Sequence, residues 1–143
     1  MKLPEPEALT RLAAADHGVL STIHQSRGID SVPVVFVVEG DRIGIPIDTV
    51  KPKSSTRLSR DSNTTDDSRA TLLVQRWDAG DWSNLWWVRV HLERELEPGT
   101  IAPLSKALAA RYPQYRDEPF ETVLVFRIVA TYGWVATDAY RAD

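Results

Sequence analysis

The residues that could most clearly bind a ligand or take part in chemistry form a short basic segment, residues 49–60. It carries four positive charges and no negative one, in a chain whose net charge is −3. The charges are Lys51, Lys53, Arg57 and Arg60. If residues 53–60 are helical, the helix N-terminus presents unpaired N–H groups beside lysines and serine hydroxyls, a combination that binds phosphate or another anion. A solvated basic loop paired with nearby aspartates is the alternative, and the segment alone leaves both open.

Tryptophans form the second unusual feature. Four of the five lie within eleven residues, at Trp77, Trp82, Trp86 and Trp87. Too many of them share one strand–loop–strand corner for all to fit in a monomer core. They form an oligomer interface, where tryptophan is enriched, or they wall a planar ligand. For any single tryptophan, a place in the core or in an interface is the more economical interpretation.

Side chains that could catalyse a reaction by themselves are sparse. The three histidines, His17, His24 and His91, have no metal-ligand spacing, and His91 has the best claim because it shares a strand face with Arg89. The serines lack a nucleophile-elbow context, and the Asp66–Asp67 pair lies in a polar stretch. We therefore expect no catalytic residue to be identifiable from the sequence and no metal site. A bound cofactor would supply the chemistry of an enzyme built this way.

Length and composition narrow the class of protein. The 143 residues fit one domain, residues 1–143, and the absence of cysteine excludes disulfide scaffolds and zinc ribbons. The slightly acidic net charge argues against general binding to nucleic acid or acidic membranes. The longest apolar run is far too short to span a membrane, and the N-terminus is too acidic for a signal peptide. We expect a cytoplasmic protein.

The elements that would position these residues are mostly strands. Apolar alternation and β-branched runs predict six of them, over residues 19–24, 32–39, 42–48, 70–77, 85–96 and 122–130. The run over 32–39 is apolar on both faces, which predicts a central strand. A first helix ends at Gly18 through a left-handed residue, a short basic helix begins after Pro52, residues 61–68 form a polar loop, and a further helix spans 101–112. Consecutive antiparallel strands with few helices favour a small β-barrel.

Several sequence pieces together resemble one known superfamily. They are Gly18-Val19-Leu20-Ser21-Thr22, Val32-Pro33-Val34-Val35-Phe36, Ile47-Asp48-Thr49-Val50-Lys51-Pro52-Lys53, Leu72-Leu73-Val74, Asp81-Trp82-Ser83-Asn84-Leu85-Trp86-Trp87-Val88-Arg89-Val90 and Ala109-Ala110-Arg111-Tyr112-Pro113-Gln114-Tyr115. The chain resembles the split β-barrel flavin and deazaflavin oxidoreductases, the pyridoxamine 5′-phosphate oxidase-like superfamily. It is most similar to the subgroup that uses the deazaflavin coenzyme F420. The resemblance runs from about Leu9 to Ala136.

This resemblance implies a six-stranded antiparallel split barrel that forms a homodimer, with the cofactor in a groove between protomers. Three sets of cofactor-binding residues follow from it. The phosphate would be held by Lys51, Lys53 and Arg57, the ring system by Pro33, Val34 and Ile47, and the partner chain would supply Arg76, Trp77 and Trp82. The chain departs from the family pattern over residues 59–69, a polar stretch without the usual Asp-Pro turn.

The function implied by the resemblance is hydride transfer from F420 to a small conjugated substrate. Two alternatives stay open: an FMN-binding pyridoxamine 5′-phosphate oxidase-like protein, and a coenzyme carrier without catalysis. A single-strand nucleic-acid binder is disfavoured because there is one short basic stretch in an acidic chain.

Overall fold

The computed structural model describes residues 1–48 and 58–136. Within these ranges, seven strands form one antiparallel sheet, and three α-helices flank it. The strands are β1 Gly18–His24, β2 Gly28–Val34, β3 Val37–Glu39, β4 Arg42–Asp48, β5 Arg69–Arg76, β6 Trp86–Glu95 and β7 Phe120–Val135, in the spatial order β2-β1-β5-β6-β7-β4-β3. The helices are α1 Glu5–Ala14, α2 Ser59–Asp66 and α3 Ile101–Arg111. The mainly β, antiparallel class predicted from the sequence is confirmed.

The strand count differs from the prediction because the apolar run at residues 32–39 is not one strand. β2 ends at Val34 and pairs with β1, whereas β3 begins at Val37 and pairs with β4. These two strands are the opposite edges of the sheet. Three peptide units span at most about 11 Å, so the sheet must be rolled until its edges lie close together. The described sheet is thus barrel-like with an open seam, and the predicted central strand is wrong.

The interior of the roll contains most of the apolar side chains. Along β6, Val88, Val90 and Leu92 are buried while Arg89 and His91 are exposed, which confirms the predicted alternation. The last strand, β7, is buried on both faces over residues 123–126. Leu124 and Phe126 belong to the core inside the sheet. Val123 and Val125 point the other way and pack under α3 in a second cluster.

α3 packs closely on the outer face of β4 and β7, opposite the core that the sheet encloses. Leu104 and Leu108 are its buried residues, and they contact Val123 and Val125 of β7. A Cβ at Gly44 would lie 3.0 Å from the Leu104 Cβ, so glycine permits this close approach. The helix predicted over residues 101–112 is therefore confirmed within one residue at its end.

α2 occupies residues where the sequence predicted a polar loop. Its composition is poor for a helix, and three of its hydroxyls bond to carbonyls within the same helix. Contacts with the sheet hold it: Asn63 Nδ2 donates to Thr22 Oγ1 and to Asp30 Oδ2, both at 2.9 Å. Tertiary hydrogen bonds override the local preference here. Of the predicted basic helix, residues 51–57 lie outside the described residues, and Ser59 and Arg60 begin α2.

Two glycine positions clarify the turns. Gly40 has φ of 61° in the tight turn between β3 and β4, a left-handed conformation that two-residue hairpin turns require. Gly18 does not end α1 in a left-handed conformation, because α1 ends at Ala14 and Gly18 is the first residue of β1. A Cβ there would lie 2.8 Å from the Leu73 carbonyl oxygen, so Gly18 is needed for strand packing. No helix in the described ranges is both long and apolar enough to cross a membrane.

Candidate functional site

The predicted phosphate-binding residues, Lys51, Lys53 and Arg57, lie outside the described residues. Their two flanks are described, however. β4 leads into the segment, and Leu58 leads from it into α2. Both flanks are tied to the barrel, β4 through its pairing with β7 and α2 through the hydrogen bonds of Asn63. In the sequence, the basic segment therefore connects β4 to α2.

The three residues predicted to contact the ring system divide between two environments. Val34 and Ile47 are both buried in the same hydrophobic cluster, so their side chains form part of the core. Pro33 is exposed on the outer face of β2, opposite Val19. Only backbone groups of Val34 and Ile47 could contact a ligand directly. β2 offers such groups, since it is an edge strand with one hydrogen-bonded neighbour.

Trp77 and Trp82 form an exposed aromatic pair after the end of β5. Their side chains are 57% and 65% exposed, and their ring centroids are 5.6 Å apart with planes inclined at 55°. Arg76, also exposed, is the last residue of β5 and lies opposite Trp86. The structure therefore brings the three predicted partner-reaching residues to one corner, where two large apolar rings lie open to contact.

Short hydrogen bonds hold the loop that carries this pair. Asp81 Oδ1 accepts from the Ser83 backbone N–H at 3.0 Å and from the Ser83 hydroxyl at 2.5 Å, and Asp78 Oδ1 accepts from the Gly80 N–H at 2.9 Å. The bonds from Ser83 lower the pKa of Asp81, because they stabilise its charged form. The loop presents the two rings in a defined arrangement.

The other clustered tryptophans lie on the two faces of β6. Trp86 is half-buried beneath the Arg11 guanidinium, whose carbon is 5.1 Å from the ring centroid. Trp87 is on the outer face, with Arg89 at 5.3 Å. The cluster is therefore divided among the barrel end, the outer face and the exposed loop.

The outer face of the sheet carries an apolar surface that the sequence patterns did not identify. We call it the outer patch; its most exposed apolar members are Ile29, Val129 and Tyr132, and Ile29 is 73% exposed. A cavity of about 380 Å³ lies beside Ile29 and Val129, with Ser21, Thr71 and His91 in its wall. His91 also makes an edge contact with Tyr132, at 5.6 Å between ring centroids. The available signal was the alternation of β6, which places Trp87, Arg89 and His91 on this same face.

Ionisable groups of the described chain do not form a metal centre. No cluster of three potential metal ligands occurs among the described residues. The strongest pKa effects fall on Asp30 and Asp67, each lowered to about 2 by hydrogen bonds from arginine, Arg27 and Arg69 respectively. These carboxylates are structural ion-pair partners, and neither contacts the aromatic pair.

Comparisons with known proteins identify the fold. No protein-family model matches the chain, and none of the curated proteins matches it by sequence. Solved structures do match. A FAD-binding protein from Mesorhizobium loti has a TM-score of 0.66 at 15% identity, covering 93% of this chain and 95% of that one. An FMN-binding protein from Syntrophomonas wolfei has a TM-score of 0.59 at 17% identity, covering 88% and 81%. A candidate pyridoxamine 5′-phosphate oxidase from Corynebacterium glutamicum has a TM-score of 0.53 at 20% identity, covering 93% and 90%.

The chain therefore has the split-barrel fold found in flavin-binding and pyridoxamine 5′-phosphate oxidase-like proteins. The match to the Mesorhizobium loti protein covers 93% of this chain. At these identities the likeness concerns the fold, and function has to be argued from the site.

Proposed function

We propose that this protein binds a flavin nucleotide, FMN or FAD, and catalyses hydride transfer with a small conjugated substrate. The observation that carries the proposal is the fold, which the chain shares over nearly its whole length with structures of flavin-binding proteins. The basic segment, residues 49–60, supports it, since a flavin nucleotide carries phosphate. A bound flavin supplies the two-electron redox chemistry, and the protein binds and orients it.

Each part of the proposed site has a distinct task. Lys51, Lys53 and Arg57 neutralise the phosphate, while β4 and α2 hold the two ends of their segment. Backbone groups at the end of β2 and of β4 orient the ring. The exposed pair of Trp77 and Trp82, with Arg76, is contributed by a second protomer and shields the ring from water.

The second protomer is part of the proposal. An exposed aromatic pair and an apolar outer patch on the same molecule are typical of a chain that buries surface against a partner. We therefore expect a homodimer with the cofactor at the boundary between protomers.

A coenzyme carrier with the same dimer and the same cofactor differs from the enzyme only in lacking turnover. A steady-state assay with oxidised and reduced cofactor therefore separates the two.

Coenzyme F420 is the second candidate cofactor. The overall resemblance of the sequence to the F420-using subgroup favours it, whereas Lys51-Pro52-Lys53 and Trp86-Trp87-Val88-Arg89-Val90 are typical of the whole superfamily. Its acidic tail would use the full charge of the basic segment, whereas FMN needs the phosphate contacts alone.

Cofactor titrations of the purified protein test the proposal. FMN, FAD and F420 are each titrated, and quenching of cofactor fluorescence is recorded with equilibrium dialysis as a check. We expect saturable binding of FMN or FAD at micromolar protein. Binding of F420 alone would replace the flavin proposal by the second candidate, and binding of none of the three would refute both.

The basic segment allows a sharper test. Replacing Lys51 and Lys53 with Ala should weaken cofactor binding by about 1–3 kcal/mol for each charge-assisted hydrogen bond that the substitution removes. The thermal midpoint of the cofactor-free protein should hardly change. Lys106→Ala, at an exposed position on α3, is the matched control and should bind as the wild type does. Unchanged affinity of the double variant would move the phosphate site away from this segment.

A further inference from the structure

A cleft lies between the end of α1 and the adjoining ends of β5 and β6. Its volume is about 310 Å³, at the lower limit of small-molecule pockets and equivalent to about ten waters at ~30 Å³ each. Polar and apolar groups both line it: Arg11, Ala14, Ala15, Asp16, His17, Gln75 and Trp86.

Arg11 is the residue of this cleft with unmet hydrogen-bonding capacity. Its guanidinium is held over the Trp86 ring, 5.1 Å from the centroid, and its side chain is 21% exposed. Its Nε is buried and has no hydrogen-bond partner. The closest carboxylate oxygen, Glu7 Oε1, is 3.8 Å from that nitrogen, which is an ion-pair distance but too long for a hydrogen bond. Leaving a buried charged donor without an acceptor is unfavourable.

Other buried arginines of the described chain differ from Arg11. Arg94 and Arg111 also have an Nε without a partner, but their terminal nitrogens are engaged. Arg94 donates to Asp61 and Thr64, and Arg111 donates to three carbonyls at the end of α1. For Arg11, the structure records no hydrogen bond from any guanidinium nitrogen to a described residue. Stacking on Trp86 orients its plane, and the terminal nitrogens are the donors that a ligand in the cleft can reach, because Nε is buried.

The electrostatic setting permits an anion beside Arg11. The C-terminal end of a helix normally repels negative charge. Here, the Arg111 guanidinium donates to the carbonyls of Ala13, Ala14 and Ala15, so a positive charge offsets the end of α1. Asp16 is 3.8 Å from Arg111 and its side chain is 89% exposed, so its charge is partly paired and strongly screened by water.

We propose that this cleft is a binding site for a small organic carboxylate with a planar apolar body. The planar guanidinium of Arg11 matches the two oxygens of a carboxylate, and Arg11 is already oriented by its stacking on Trp86. Ala14, Ala15 and the indole of Trp86 supply an apolar wall for the body of the ligand. Gln75 and His17 are polar groups of the same lining that select ligands with a further hydrogen-bonding group. The cleft adjoins the corner that carries Arg76, since Gln75 precedes Arg76 and Trp86 lies opposite it, but Arg11 itself has no part in the proposed flavin site.

Benzoate is the probe for this site. Its binding to the wild-type protein is measured by ¹H–¹⁵N NMR. We expect saturable shifts of the Arg11 Nε–H and Trp86 indole N–H signals. Arg11→Gln should weaken benzoate binding tenfold or more, because it removes a charged hydrogen-bonding partner. Arg11→Lys keeps the charge without the planar fork and should fall between the two. Arg42→Gln, which removes an exposed arginine paired with Glu95, should bind benzoate as the wild type does.

Three results would overturn the proposal. Absence of saturable shifts would mean that water alone fills the cleft, and equal benzoate affinity in wild type and Arg11→Gln would place the anion elsewhere. Inorganic phosphate binding at Arg11 more tightly than benzoate would refute the carboxylate class. Far-UV circular dichroism verifies the fold of each variant, and Arg11→Lys serves if Arg11→Gln does not fold. FMN affinity measured on the same variants should stay unchanged, so failure of the flavin proposal is scored separately.

Discussion

Asp30 is the residue through which β2, α2 and the β1–β2 turn are connected. Its carboxylate accepts two hydrogen bonds from Arg27, at 2.8 and 2.6 Å, and one from Asn63 at 2.9 Å. The bonds from Arg27 are the main reason that its pKa is lowered to about 2. Because the folded-state pKa lies below the ordinary value of 3.8, this carboxylate stabilises the fold above about pH 4. That contribution disappears as the pH falls from about 4 to about 2.

We predict that Asp30→Asn flattens the dependence of unfolding free energy on pH between about pH 4 and pH 2. It should also destabilise the protein at pH 7, because the bond from Asn63 holds α2. Urea unfolding at a series of pH values measures both effects. Asp67→Asn is the matched control: the pKa of Asp67 is also about 2, but its partner is the adjacent Arg69. Asp67→Asn should flatten the pH dependence of the unfolding free energy over the same range, with a smaller loss of unfolding free energy at pH 7. If Asp30→Asn kept the wild-type pH dependence, the assignment of this pH dependence to Asp30 would be contradicted.

Among the elements, α3 does more than cover β4. Its last residue, Arg111, donates to the end of α1, and the following Tyr112 hydroxyl lies 2.8 Å from the carbonyl oxygens of both Asp16 and Phe36. Phe36 is in the two-residue link between β2 and β3, where the sheet changes from one edge to the other. A hydroxyl has one hydrogen, so it donates to one of the two carbonyls at a time. The end of α3 thus ties α1 to the seam of the barrel.

Tyr112→Phe is therefore expected to lower the free energy of unfolding by about 1 kcal/mol, the typical net value of one hydrogen bond. Urea denaturation monitored by tryptophan fluorescence measures the change. Tyr132→Phe is a suitable control, because the structure gives the Tyr132 hydroxyl no hydrogen bond to a described residue. Equal stability of Tyr112→Phe and the wild type would mean that water replaces the bond at no cost.

At the scale of the whole molecule, the outer patch is the exposed surface that a second protomer would bury. The outer patch contains Ile29, Val129 and Tyr132, all exposed, on the outer face of the sheet away from the part that α3 covers. A stable interface of standard size buries about 800 Å² on each partner. We propose that this patch is where two protomers meet, which also brings the loop of Trp77 and Trp82 to the partner's cofactor site.

Replacing Ile29 and Val129 together with Asp should then convert the dimer to a monomer and weaken flavin binding in parallel, because the groove needs both protomers. Light scattering after size exclusion gives the mass, and fluorescence titration gives the affinity. Leu96→Asp changes an exposed apolar residue outside the patch and should leave the mass unchanged. A wild-type protein that is monomeric at micromolar concentration, or a monomeric variant that binds flavin normally, would refute the shared groove.

The local pattern of residue types was sufficient to predict several elements, because the signals for these elements do not depend on distant residues. The alternation of β6, the turn at Gly40 and the buried face of α3 are encoded within a few consecutive positions. Patterns failed where the decisive partner is far away in sequence. Val34 and Val37 belong to one β-branched run, yet Val34 ends one edge strand and Val37 begins the other. α2 forms against its composition because Thr22 and Asp30 supply acceptors for Asn63.

The candidate site divides in the same way. Charge and periodicity are local properties, so the sequence was enough to predict a mainly β chain with one cationic segment and one tryptophan-rich corner. The folded structure was needed to show that Val34 and Ile47 are core residues, that the rings of Trp77 and Trp82 lie together in solvent, and that Arg11 is held over Trp86 beside a cleft. Burial and stacking depend on contacts between residues far apart in the chain, and those distances exist only after the sheet has rolled up.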